Sequence, residues 1–156
     1  VQKLALEAVQ EIRIKLKWEA LDRENEAITQ AKLNKTKFIT TDFSNGDTAK
    51  QLLTRSRFLL YKSQYKWSEN QKERAVILFK EYPELKEAYL LSQQLRNIYN
   101  NNTDKAIAIT KLANWYNNVE NLGIKSFNTI MNTIKTNYDS ILNYFDQKYK
   151  CFSGIF

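Results

Sequence analysis

The sequence predicts an all-α protein, a single helical domain of about six helices opened by a long N-terminal helix. Three observations carry that expectation. Three glycines and one proline among 156 residues leave little material for the tight hairpins that sandwiches and barrels need. Apolar residues make up 43% of the chain, enough for one packed core. Those residues recur at helical spacing along the chain, with no repeat of fixed period.

In chain order, residues 1–34 place Ala5, Val9, Ile12 and Leu16 on one face, then thin to Ala20, Ala27 and Ala31 behind Trp18 and Leu21. The first half of this helix is expected to face a core and the second half water, with Glu11–Lys15 and Glu19–Arg23 as i,i+4 pairs. The pattern stops between Lys35 and Asp47, where Asn45-Gly46 marks a turn and Asp47 or Thr48 can cap the next helix. That second helix, about 48–62, turns Leu52, Leu53, Ser56, Leu59 and Leu60 inward. Ser68-x-x-Gln71 is a capping box that opens a third helix, with Ala75, Leu78 and Tyr82 on its buried side. Pro83 ends that helix or begins the fourth, which carries Leu85, Ala88, Leu91, Leu95 and Ile98. Thr103 is placed to cap a fifth, with Ala108, Leu112, Trp115, Val119 and Leu122 at steady spacing until Gly123. Ser126 opens a sixth, striped by Phe127, Ile130, Ile134, Tyr138, Ile141, Phe145 and Tyr149. After Tyr149 the period is lost. Residues 148–156 therefore read as an atypical C-terminal tail, set apart from a helical region over 1–147.

Several absences narrow the chemistry. The chain has no His, which removes His-based general bases, Ser-His or Cys-His pairs and His-ligated zinc. A single cysteine, Cys151, excludes an internal disulfide and fits a reducing, cytoplasmic setting. No apolar run approaches a membrane span, so no membrane partner is expected, and nothing points to a small-molecule substrate. The chain opens on Val1 and its single methionine is Met131, which reads as a fragment of a longer frame. Glu19, Asp22 and Glu26 share a helix face at metal-like spacing, but a solvated face paired to Lys15 and Arg23 is the preferred reading, so no metal site is assigned.

The net charge is +7, and it is uneven: residues 1–66 hold 13 Lys and Arg against 8 Asp and Glu. Thr48–Glu73 gathers Lys50, Arg55, Arg57, Lys62 and Lys66 with no acid between Asp47 and Glu69, and threads Phe58, Tyr61, Tyr65 and Trp67 among them. Cations interleaved with aromatics suit a surface that meets phosphates and bases, so Lys50, Arg55, Arg57, Lys62, Lys66 and Trp67 are the candidate nucleic-acid-binding residues. On a helix these cations do not form one stripe, and solubility is the competing explanation. Trp67 precedes the Ser68 cap, where it serves either to stack a base or to pack back on the helix as a hydrophobic staple. Trp115 is in phase with a buried stripe and is expected in the core.

Seven segments, LTRSRFLLYK (53–62), KWSENQKER (66–74), YPELKEAY (82–89), LRNIYN (95–100), KLANWYNNVE (111–120), GIKSFNTI (123–130) and ILNYFD (141–146), resemble in content and order the DDE transposases of bacterial insertion sequences, in particular their IS-L-three group. The likeness runs from about Val1 to Asp146. In that family an RNase-H-like core supplies three carboxylates that hold two divalent ions, Mg or Mn, for phosphoryl transfer. The resemblance places the second Asp just before a segment like Val1–Leu4 and the catalytic Glu beyond one like Leu142–Asp146, so it implies that none of the triad lies in this chain. What it matches is the helical insertion between the second and third carboxylates. The implied protein is a truncated transposase fragment, not itself an enzyme and with no cofactor of its own, that contacts DNA with low sequence specificity through its basic segment. Two other classes stay open: a regulatory or interaction module that pairs with an intact transposase or with itself, and a pseudogene product without selected function.

Overall fold

The computed structural model describes residues 1–101 and 104–153, the side chains beyond 147 excepted. Among the described residues there are eight α-helices, two short 3-10 turns and no strand. The helices are α1 (Gln2–Leu33), α2 (Ala49–Arg55), α3 (Arg57–Tyr61), α4 (Glu69–Glu81), α5 (Pro83–Asn101), α6 (Lys105–Leu122), α7 (Asn128–Thr136) and α8 (Tyr138–Ser153). The 3-10 turns are Gln64–Lys66 and Lys125–Phe127. The chain divides into two compact units, a middle unit Val9–Lys86 and a flanking unit formed by Val1–Ala8 with Glu87–Phe156.

The extra helices come from two breaks. The expected second helix is interrupted at Ser56, a fully buried residue whose hydroxyl donates to the Leu52 carbonyl at 2.5 Å. A serine that bonds back to its own helix in this way bends it. Helix α1 supports both sides of the break: the Arg13 guanidinium donates to the Leu53 carbonyl of α2 at 3.1 Å, and the Gln10 amide donates to the Arg57 carbonyl of α3 at 3.0 Å. The expected sixth helix is interrupted at Asn137, whose backbone N–H and side-chain amide both donate to the Thr133 carbonyl at 3.0 Å. That break corrects the regular stripe: Ile130, Ile134, Ile141 and Phe145 are buried, but Tyr138, beside it, is exposed. The backbone of α8 runs on through Cys151 to Ser153. The side chains of Tyr149 and Cys151 lie outside the described residues.

Helix ends follow local chemistry. Thr48 and Ser68 each head a complete capping box, with Gln51 and Gln71 returning the bond. Tyr82 leaves helical geometry before Pro83, which takes the first position of α5. The cap of α6 is Asp104, whose carboxylate accepts from Ala106 and Ile107; Thr103, expected in that role, lies outside the described residues. Gly123 closes α6 in the left-handed region, where its lack of a Cβ removes the steric cost. Helix α1 ends in the same geometry with Lys35 at φ 56°: Thr36 N–H reaches the Ala31 carbonyl and Lys35 N–H the Lys32 carbonyl, the two bonds of a Schellman motif.

Burial follows the expected faces. In α1, Ala5, Val9, Ile12 and Ala20 are buried, and beyond Ala20 the helix is half-buried or exposed. Its described ion pairs are Lys3–Glu7 and Lys15–Glu19, in place of the expected Glu11–Lys15 and Glu19–Arg23. In the flanking unit Trp115 is buried and donates its indole N–H to the Leu91 carbonyl at 2.8 Å, while its ring meets Phe127. Leu122, at the end of the same stripe, is exposed.

Candidate nucleic-acid interface

The candidate cations all lie in the middle unit, and the structure sorts them into two groups. Asp47, at the end of the turn made by Asn45-Gly46, is buried with 1% of its side chain accessible. It accepts hydrogen bonds from Arg55, from Arg74 Nε at 3.1 Å and from the Asn45 amide at 2.8 Å. Burial pushes the Asp47 carboxyl upward, but the bonds from Arg74, Asn45 and Arg55 outweigh that and hold it below the ordinary carboxylate range. Arg55 is therefore committed to an internal ion pair, although half of its side chain still reaches water. The cap position went to Thr48, which frees Asp47 for this clasp.

The second group follows the Ser56 break. Leu59 and Leu60 anchor α3, which turns Arg57, Phe58 and Tyr61 to the opposite, exposed side. The Arg57 guanidinium lies 5.6 Å from the Phe58 ring centroid, and the Lys66 ammonium 5.8 Å from that of Tyr65. Phe58 is 66% exposed and Tyr65 82%. Lys62 is exposed and donates to Gln71 Oε1 at 3.4 Å. Lys50 is exposed on α2. Lys50, Arg57 and Lys66 make no ion pair among the described residues.

Trp67 has a different setting. It is half-buried, donates its indole N–H to the Leu59 carbonyl at 2.7 Å and rests its ring against Phe79 with centroids 6.2 Å apart. Its ring partner, Phe79, lies in the third turn of α4, not at the first-turn position of a staple. The other aromatics of the segment, Phe58, Tyr61 and Tyr65, are exposed, Phe58 and Tyr65 the most. Alternation offers one signal: Leu59-Leu60 are the inward residues of α3, which leaves Phe58 outside.

Two further features bear on what the surface can do. Beneath α2 and α3, the buried Arg13 also bonds Gln10 Oε1 at 2.7 Å, and burial together with the nearby Arg57 lowers its pKa. Among the described residues no group of three or more acidic or cysteine side chains converges as a metal site, and no helix is long and apolar enough to cross a membrane. Asp22 and Glu26 lie on the solvent side of α1.

A family model for transposases of the IS-L-three DDE group, described as "Transposase", matches residues 1–154. The chain belongs to that family. No curated protein and no solved structure matches it.

Proposed function

We propose that residues 1–156 form a DNA-gripping part of an IS-L-three transposase, and that the contact runs through Lys50, Arg57, Lys62 and Lys66. The observation that carries this reading is the exposure of these cations along a stretch where Asp47 is already neutralised by Arg55 and Arg74 and no other acid occurs before Glu69. Phosphates met by such side chains release counterions, which gives affinity without sequence preference. Arg55 and Trp67 enter as the residues that hold the segment in place: Arg55 ties α2 to the 43–47 turn, and Trp67 ties the 3-10 turn to α3 and α4.

Gripping falls to these helices, and phosphoryl transfer, with its two divalent ions, to carboxylates outside them. Fluorescence anisotropy with random-sequence DNA tests it: affinity is expected to fall linearly in log K against log salt. Binding that ignores salt contradicts the reading, as does metal-dependent strand cleavage by this chain alone.

A further inference from the structure

We infer that the surface formed by α3 and the following 3-10 turn takes unpaired, single-stranded DNA in preference to duplex; the inference rests on the DNA-gripping reading and specifies its substrate. In a duplex the base faces are stacked away, and a protein reaches edges and phosphates. An aromatic ring on the surface gains little there. Against an unpaired strand, each base offers a face to stack on and each linkage offers a phosphate.

The exposed residues match that second pattern. Phe58 and Tyr65 are large rings left 66% and 82% accessible, and each carries a cation close by, Arg57 at 5.6 Å and Lys66 at 5.8 Å. A ring with its own cation is the complement of one nucleotide, base plus phosphate, and the segment presents two such pairs with Tyr61 exposed between them in sequence. The rings stand on anchored backbone. Arg57 offers its carbonyl to Gln10, Leu59 and Leu60 are fully buried, and Trp67 bonds Leu59 from the far end of the turn. Little ordering remains to be done on binding, which favours stacking over a mobile loop. The charge agrees: the segment carries no acid, so an anionic strand is the complementary occupant, ahead of an apolar protein surface.

The test compares the full chain on a fluorescein-labelled 20-nucleotide strand of mixed sequence and on the matching duplex, with sedimentation velocity alongside. The single strand should bind about tenfold tighter or better, and Phe58→Ala and Tyr65→Ala should each weaken it by roughly fivefold or more while leaving duplex binding unchanged. Tyr65→Phe keeps the ring and should restore binding, which separates stacking from any loss of fold. Equal affinity for both forms, reduced by Arg57→Glu but not by the ring variants, would overturn the single-strand inference and leave the DNA reading standing. Binding to neither form would overturn both. A dimer that Tyr65→Ala dissociates, with no change on DNA, would replace the inference with a protein interface.

Discussion

The two compact units fill their interiors differently. The middle unit buries Gln10, Arg13, Asp47 and Ser56, whereas among the described residues of the flanking unit the buried side chains are Ser92 and apolar or aromatic groups such as Tyr89, Trp115, Phe127 and Phe145. Apolar burial is non-directional and supplies stability in proportion to area, while buried hydrogen bonds fix one arrangement of the elements that make them. The middle unit uses its buried polar groups around the α2–α3 break and the Asp47 clasp, the places that decide which cations face outward. Arg55 and Arg57, two residues apart, show the result: one is drawn into an ion pair and the other lies out over Phe58.

Substitutions in each unit sharpen the contrast. In the flanking unit Trp115→Ala empties a buried indole's volume and removes its bond to the Leu91 carbonyl, so chemical denaturation should show a loss of about 4 kcal/mol. In the middle unit Asp47→Asn should cost about 3 kcal/mol, the lower end for breaking a buried pair because Arg55 reaches water. If Asp47→Asn unfolds no more easily than the parent, the clasp is not what holds α2 to α4.

The same contrast has a pH signature. The lowered pKa of Asp47 means that its stabilisation is fully present above the ordinary carboxylate value of about 4 and is lost as pH falls through the folded value below it. In the flanking unit burial raises the pKa of Tyr89, and raises that of Tyr99 to about 12 with help from Tyr144. Their contribution is present below the ordinary tyrosine value of about 10 and lost as pH rises through the folded values. Thermal melts followed by tyrosine and tryptophan fluorescence from about pH 3 to 11 should therefore show an acid limit that Asp47→Asn flattens and an alkaline limit that it leaves unchanged.

The smallest effect concerns the end of α1. Lys35 holds a left-handed conformation that costs a residue with a Cβ, so Lys35→Gly should stabilise the chain by about 0.5 kcal/mol after the greater freedom of glycine in the unfolded state is subtracted. A loss of stability would mean that the Lys35 side chain makes contacts that outweigh its backbone strain.

Much of this architecture is legible from local chemistry. The capping boxes at Thr48 and Ser68, the Pro83 boundary, the Gly123 cap and the burial of Trp115 all depend on residues within a turn or two of one another, or on strict periodicity. The two helix breaks are not legible in that way. Ser56 and Asn137 sit in phase with apolar stripes, and only their bonds to Leu52 and Thr133, and for Ser56 the support of Gln10 and Arg13, turn a tolerated polar residue into a break. The sorting of the cations is tertiary as well: Arg55 meets Asp47 eight residues away, and Asp47 meets Arg74 across 27. Charge density along the chain marks the segment; it does not show that Arg55 is drawn into the pair with Asp47.

The most direct test of that distinction is the salt dependence of DNA binding for three chains: the parent, Arg57→Gln with Lys66→Gln, and Arg55→Gln, each first shown by circular dichroism to be folded. If the outward cations make the contact, the slope of log K against log salt should become shallower by about 2 for the double variant and stay unchanged for Arg55→Gln. A slope that Arg55→Gln reduces as much as the double variant does would contradict the account.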